Sequence, residues 1–218
     1  MLLGCGAMVT TSCNDYLTEK PESMVGPDNV GDSKEAVDTW VTGVYSNWLY
    51  DMFVWGEFPK VLELDADYIS GPDWLFGTLG AGNFQAESAL DKMWKGPYNL
   101  INDANIAVRY ISAMSNVSED YKNNAIGECY FQEAFAYFML VRAYGPIPYT
   151  DVSASGEFMH SRRPVKEIYG HIIDLLTKAS DLMYHRDNNK YQEGHVNAGS
   201  AAGLLAKVYA TMASAAMP

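Results

Sequence analysis

Three things are scarce in this chain, and each scarcity removes a class of function. Cysteine occurs three times in 218 residues, as Cys5, Cys13 and Cys129, too few and too scattered for a disulfide scaffold or a zinc site. Basic residues are outnumbered, 15 Lys and Arg against 27 Asp and Glu, for a net charge of −12. Such a balance repels phosphate backbones, so no nucleic-acid partner is expected. Long apolar runs are missing too: none reaches the roughly 18 residues that a membrane-spanning helix needs.

Catalytic signatures are equally sparse. His160, His171, His185 and His195 show no metal-ligand spacing such as i, i+4 on one helix and read as surface or loop residues. No G-x-S-x-G elbow and no Walker phosphate loop occurs. Asp65, Asp67 and Asp73 hint at oxygen ligands for calcium, but Ile69 breaks the EF-hand pattern. Cys129 falls in an apolar helical stretch and reads as a small core residue. Nothing in the sequence favours a pair of carboxylates facing one bond. The chain therefore reads as a non-enzyme, with no cofactor and no metal expected.

What is present is a core. The chain is 48% hydrophobic and 13% aromatic, well above the range of disordered segments. Its apolar residues recur at three and four. Ala36, Val37, Trp40, Val41, Val44, Tyr45, Trp48 and Leu49 predict a helix over 33–50. Asp32 followed by Glu35 resembles a capping box at its start. Trp94, Tyr98, Ile101, Ala104, Val108 and Ile111 predict a second helix over 88–114. Pro97 inside it calls for a kink, or a start near Gly96.

The clearest pattern covers 118–144. Two stripes, Ile126-Tyr130-Ala134-Tyr137-Val141 and Phe131-Phe135-Phe138, make a surface wide enough for neighbours on two sides. Gly145-Pro146-Ile147-Pro148 is a firm stop. Pro164, at the favoured first position, opens a helix to 184 faced by Val165, Ile168, Tyr169, Ile172, Leu175, Leu176, Ala179 and Leu182. Asn197 caps a last helix rich in small residues, with Ala198, Ala201, Ala202, Leu205, Val208 and Tyr209 along it and an end close to Pro218. No strand with period two stands out. Residues 57–66 hold a short helical possibility.

The expected fold is therefore all-α: TPR-like helical hairpins, 88–114 with 118–144 and 164–184 with 197–216, forming an α-superhelix with long irregular loops. Small residues let such helices approach closely. Because the final helix is apolar and uncovered, the array is expected to be incomplete at its C-terminal end and part of a larger domain.

Two stretches suggest function. MLLGCGAMVTTSC opens apolar and uncharged and ends in small residues before Cys13. This fits the latter part of a lipoprotein signal, with Cys13 carrying acyl chains as a membrane anchor. Cys5 in Leu2-Leu3-Gly4-Cys5 fits the local pattern better, with only four residues ahead of it. The residues alone fit an ordinary N-terminal tail equally well. Residues 14–31, with Pro21, Gly26, Pro27 and Gly31, read as a tether. In the Gly-rich loop 70–86, Trp74 and Phe76 lie near Asp67, Asp73 and Asn83. Aromatic planes stack on the C–H faces of sugars while Asp or Asn accepts from hydroxyls. Trp74 and Phe76 folding back over the helical core is the competing account.

Taken together, the motifs resemble the N-terminal half of SusD/RagB-type outer-membrane nutrient-binding lipoproteins. The resemblance runs through Ser12-Cys13-Asn14-Asp15-Tyr16-Leu17 with Pro21-Glu22, then Trp94, Tyr98 and Ile101 with Ala104-Asn105, and Ile126-Gly127-Glu128-Cys129-Tyr130-Phe131. Its most specific piece is Ala134-Phe135-Ala136-Tyr137-Phe138 with Leu140-Val141-Arg142-Ala143-Tyr144-Gly145-Pro146-Ile147-Pro148. Ile168-Tyr169, Ile172-Ile173, Leu175-Leu176, Ala201-Ala202, Leu205-Ala206 and Val208-Tyr209 complete it. One departure is Gln132-Glu133, where the family usually carries an arginine.

The resemblance implies a cell-surface lipoprotein of the outer membrane that captures oligosaccharide, or another nutrient, for a SusC-like TonB-dependent transporter beneath it. It implies lipidation at Cys13 and no catalysis. It divides the chain into a partial signal peptide (1–12), a lipidated tether (13–31) and an N-terminal helical domain (32–218) that lacks the family's C-terminal half. Asp67, Asp73, Trp74, Phe76 and Asn83 are placed as ligand residues by their loop, not by a matched motif. The alternatives are a TPR-like scaffold for protein partners and capture of peptide or another non-glycan nutrient.

Overall fold

The computed structural model of the chain describes residues 30–48, 88–149 and 160–215. Among these are five helices and a two-stranded ribbon: α1 (Lys34–Trp48), α2 (Ser88–Ala113), α3 (Glu119–Tyr144), β1 (Ile147–Pro148), β2 (Arg162–Arg163), α4 (Val165–Leu182) and α5 (Ala198–Ser214). All belong to the unit Asp32–Pro218; Met1–Gly31 is a separate unit.

The first helix begins differently from the sequence expectation. Ser33, not Asp32, caps it, with its Oγ accepting from the Ala36 N–H at 3.2 Å. Ser33 lies three residues before that orphan donor, the spacing a cap requires. Asp32 is thereby free to serve another turn. Its carboxylate accepts from the Ser115 N–H and Oγ, each at 2.9 Å, and from the Asn116 N–H at 3.0 Å. It thus closes the connection between α2 and α3. Farther along, Trp40 stacks on Tyr110 of α2 with ring centroids 4.9 Å apart.

α2 runs unbroken from Ser88 through Pro97, so it does not restart at Gly96. A proline there removes one backbone hydrogen bond and costs about 3 kcal/mol or more in an isolated helix. Packing offsets that cost. Gly96 and Pro97 are both buried, and Met93 joins a cluster with Met139, Phe135 and Tyr144 of α3. Leu100, Ile101, Ala104, Ala107 and Ile111 continue the buried face.

α3 is the central element and packs against α1, α2 and α4. The two-sided burial expected from its stripes is present, and Ala134, Tyr137, Phe138 and Val141 of those stripes are buried, but not every stripe residue is. Ile126, Tyr130, Phe131 and Phe135 keep partial exposure, whereas Glu128, Gln132 and Glu133 are buried. Neighbours on several faces leave these three polar residues in the middle of the helix facing packed elements, while Glu119, Asp120 and Arg142 at its ends stay exposed. Gly127 permits the tightest approach: a Cβ there would lie 2.7 Å from Met183 Cγ and 3.2 Å from the Met183 backbone nitrogen. Gly145 ends the helix with φ of 69° and donates its N–H to Val141 O, a conformation costly to other residues.

Ile147 and Pro148 pair antiparallel with Arg163 and Arg162. Two residues per strand are too few to show a period, which is why the sequence pattern misses the ribbon. Pro164 takes the N-cap position of α4 rather than its first helical one. It still serves the start, because its carbonyl accepts from Glu167 and Ile168.

α4 packs on both α3 and α5. Fully buried Tyr169, Ile168, Ile172 and Leu176 fill its face, each Ile or Leu contributing about 1.5–3 kcal/mol by leaving water. α5 opens on a reciprocal box, Ser200 N–H to Asn197 Oδ1 at 3.1 Å and Asn197 N–H to Ser200 Oγ at 3.3 Å. Its buried stripe is Ala198, Ala201, Leu204 and Val208, whereas Ala202 is exposed and Tyr209 is 51% exposed. Among the described elements α5 packs mainly on α4, and to a lesser degree on α3.

Candidate functional site

The expected ligand residues Asp67, Asp73, Trp74, Phe76 and Asn83 lie outside the described residues, as do the helix at 57–66, the loop 70–86, the leader and Cys13. The chain enters α2 at Ser88, and the first turns of α2 are nailed to the last turn of α3 by aromatic contacts. Trp94 meets Tyr144 edge-on at 4.9 Å and lies 5.0 Å from Tyr98. The Tyr98 hydroxyl donates to Pro148 O at 2.9 Å, tying in the ribbon. Burial pushes the Tyr98 hydroxyl well above its ordinary pKa, with Arg162 nearby pulling it back.

The other side of the ribbon carries a second aromatic group. Tyr149 and His171 meet edge-on at 4.1 Å, and Tyr137 stands 5.3 Å from the same imidazole. His171 Nε2 lies 3.6 Å from Glu133 Oε1. That distance exceeds a hydrogen bond, and Nε2 has no hydrogen-bond partner among the described residues. The expectation of a surface histidine is therefore wrong here: α4 turns His171 inward, against α3.

His195 lies in a loop, as expected, but its side chain is half-buried. It joins a polar cluster that links α1, α3 and the 183–197 connection. Glu128, buried on α3, receives the Tyr45 hydroxyl at 2.9 Å, Asn124 Nδ2 at 2.8 Å and His195 Nδ1 at 2.8 Å. The Tyr45 hydroxyl in turn accepts from the Val196 N–H at 3.0 Å. Burial, reinforced by the Glu128 charge, pushes the Tyr45 hydroxyl far above its normal range. The only hint in the sequence was a glutamate between apolar stripes on a helix.

Beside this cluster is a cavity of about 30 Å³ lined by Asp38, Tyr121, Asn124, Glu128, Tyr191 and His195, among others. It has room for about one water and none for a sugar ring. Its hydroxyls are already engaged: Tyr121 donates to Asp38, and Tyr191 donates to His195 O at 2.8 Å. The cluster is a joint, not a ligand pocket. No group of three or more metal-ligating side chains occurs among the described residues. Cys129 is buried, and desolvation pushes its thiol pKa far up, so it is an inert core residue.

Paired helices packed around a central one, with short caps and close-approach glycine, define an all-α TPR-like scaffold. The chain belongs to the SusD-like family: the family model described as starch-binding and associating with the outer membrane matches residues 15–210. The SusD-like protein P2 of Formosa agariphila is 28% identical, over 94% of this chain and 41% of the relative. The crystal structure of a SusD homolog from Bacteroides thetaiotaomicron superposes with a TM-score of 0.74 at 23% identity, covering 86% of this chain and 38% of that one. A further crystal structure, determined with xylogluco-oligosaccharide, gives a TM-score of 0.66 at 22% identity, over 80% and 34% of the two chains. The chain thus spans about two fifths of the length of the relatives it matches.

Proposed function

We propose that the chain is the N-terminal helical part of a cell-surface lipoprotein that captures oligosaccharide and passes it to a SusC-like TonB-dependent transporter in the outer membrane. The observation that carries this reading is the match to a starch-binding, outer-membrane-associated family along residues 15–210. In this reading residues 1–12 are the end of a signal peptide, Cys13 carries the lipid, and 13–31 form a tether to the domain 32–218.

Glycan capture needs flat apolar surfaces and fixed acceptors, and it needs no catalytic group. Residues 67–83 offer both: Trp74 and Phe76 for sugar faces, and Asp67, Asp73 and Asn83 for hydroxyl edges. The contact of Trp94 with Tyr144 fixes the first turns of α2, the described element next downstream in the chain, against α3. The test is isothermal titration of the full-length protein against a panel of soluble glycans, with Trp74→Ala beside it. Saturable binding that falls at least tenfold in the variant supports the reading. Absence of binding across the panel, or equal binding by the variant, refutes the site.

A further inference from the structure

The connection between α4 and α5 is held by side-chain bonds at both of its ends. Tyr184 donates its N–H to Asn124 Oδ1 at 2.8 Å, and its carbonyl accepts from Ala198 N–H. Its hydroxyl donates to Asp120 at 2.6 Å, where Lys190 also arrives at 2.7 Å. The far end of the connection is pinned at His195 and Val196, immediately before the Asn197 cap. The ring of His195 meets Glu128 of α3, its carbonyl meets Tyr191, and the next N–H meets Tyr45 of α1.

We propose that His195 and Glu128 form a proton-linked latch that clamps the 185–197 connection, and with it the first turn of α5, onto α1 and α3. The latch is tightest when His195 carries its second proton. Glu128 is only 5% exposed, and among the described residues His195 is the cation paired with it. A charge-assisted bond to a buried carboxylate is roughly twice as strong as a neutral one.

The surroundings favour the charged imidazole. From α1, Asp38 lines the same cavity, and Tyr45 shares the Glu128 oxygen. From α3, Tyr121 and Asn124 complete the wall, and from the α4 end, Tyr184 does so. On the connection itself Tyr191 and Lys190 face the cavity, but Lys190 is paired with Asp120. Two carboxylates, Asp38 and Glu128, thus act on one imidazole. The Glu128 hydrogen bond holds the His195 pKa above its ordinary value, against burial and with help from Asp38.

A raised histidine pKa stabilises the fold fully below the unfolded value of about 6.5 and loses its effect as pH rises through the folded value. The connection therefore loosens on alkalinisation within that window. Because Tyr45 bridges Glu128 and the Val196 N–H, loosening the pair frees the backbone just ahead of α5.

The experiment is amide hydrogen exchange on the full chain between pH 5.5 and 8.5, corrected for intrinsic rates, read at Val196 and Ala198 and repeated in His195→Gln. Glutamine retains an N–H donor and loses the titration. In the native chain, protection at these amides should fall as pH rises, by roughly tenfold for each pH unit by which the folded midpoint exceeds 6.5. In His195→Gln the pH slope should vanish. Protection that is independent of pH in the native chain, or an unchanged slope in the variant, overturns the proposal. Should the variant not fold, the His195 midpoint by NMR decides: at or below 6.5 it refutes the latch, above 6.5 it supports it.

Discussion

Gly127 offers a direct test of how closely α3 and the end of α4 approach. Adding one methyl, Gly127→Ala, has two opposing effects. Alanine in a helix interior is favoured over glycine by about 0.8–1 kcal/mol. Against that, the new Cβ would lie 2.7 Å from Met183 Cγ, 3.1 Å from Leu182 Cβ and 3.2 Å from the Met183 nitrogen. The Met183 side chain can swing aside, but the other two atoms belong to backbone or to the first carbon of a side chain. Moving them shifts the turn that carries Tyr184, so an overpacking cost of about 1–3 kcal/mol applies. The net expectation is destabilisation by up to about 2 kcal/mol.

The control is Gly170→Ala in α4, where a Cβ meets nothing within 4 Å; it should stabilise by about 0.5–1 kcal/mol. Urea denaturation followed by circular dichroism reads both. In a unit of this size 1 kcal/mol corresponds to a shift in Tm of about 2–4 °C. The reasoning is refuted if Gly127→Ala stabilises as much as Gly170→Ala, because the close approach would then not exist.

Two further substitutions probe the ends of helices. Asn197→Ala removes one half of the α5 capping box and should cost about 1 kcal/mol, seen as faster exchange of the Ser200 amide with little change in α2. Asp32→Ala should lower Tm by opening the connection at Ser115 and Asn116. The Ser115 N–H, opposed only by partial burial, holds the Asp32 carboxyl below its ordinary pKa, so its contribution is present above the unfolded value and is lost as pH falls through the folded one. The gap between native and variant Tm should therefore be constant at neutral pH and close on acidification below about pH 3.9; a gap that persists in acid would contradict the clamp.

Much of the architecture was legible from local pattern. The apolar periods at 88–114, 118–144 and 164–184 predict α2, α3 and α4 within two residues at each end. Gly145 and Asn197 act as the stop and the start that their types suggest. Errors cluster where a choice between neighbours depends on something distant. Asp32 and Ser33 are both good caps, and which of them takes the role is decided by the 115–116 turn that Asp32 can reach. Pro97 breaks isolated helices, but α2 continues because its first turns have Tyr144 and Met139 to pack on. The ribbon at 147–148 and 162–163 is too short to carry a period.

The candidate site divides in the same way. Aromatic and acidic residues among positions 67–83 suggest sugar chemistry by composition alone, and those positions lie outside the described residues. Neither His171 nor His195 could be read as inward-facing, since a lone histidine has no pattern of its own.

Helix identity, most helix ends and the membership of a helical-repeat family were determined by the sequence alone, because periodicity, caps and breakers act within a few residues of themselves; the cap of α1 was not. Which polar groups are buried, and what they hold, was decided only by the tertiary structure. Glu128 becomes a hub because α1, α3 and the 183–197 connection meet at it, bringing Tyr45 and His195 within 3 Å of a carboxylate from positions 83 and 67 residues away along the chain.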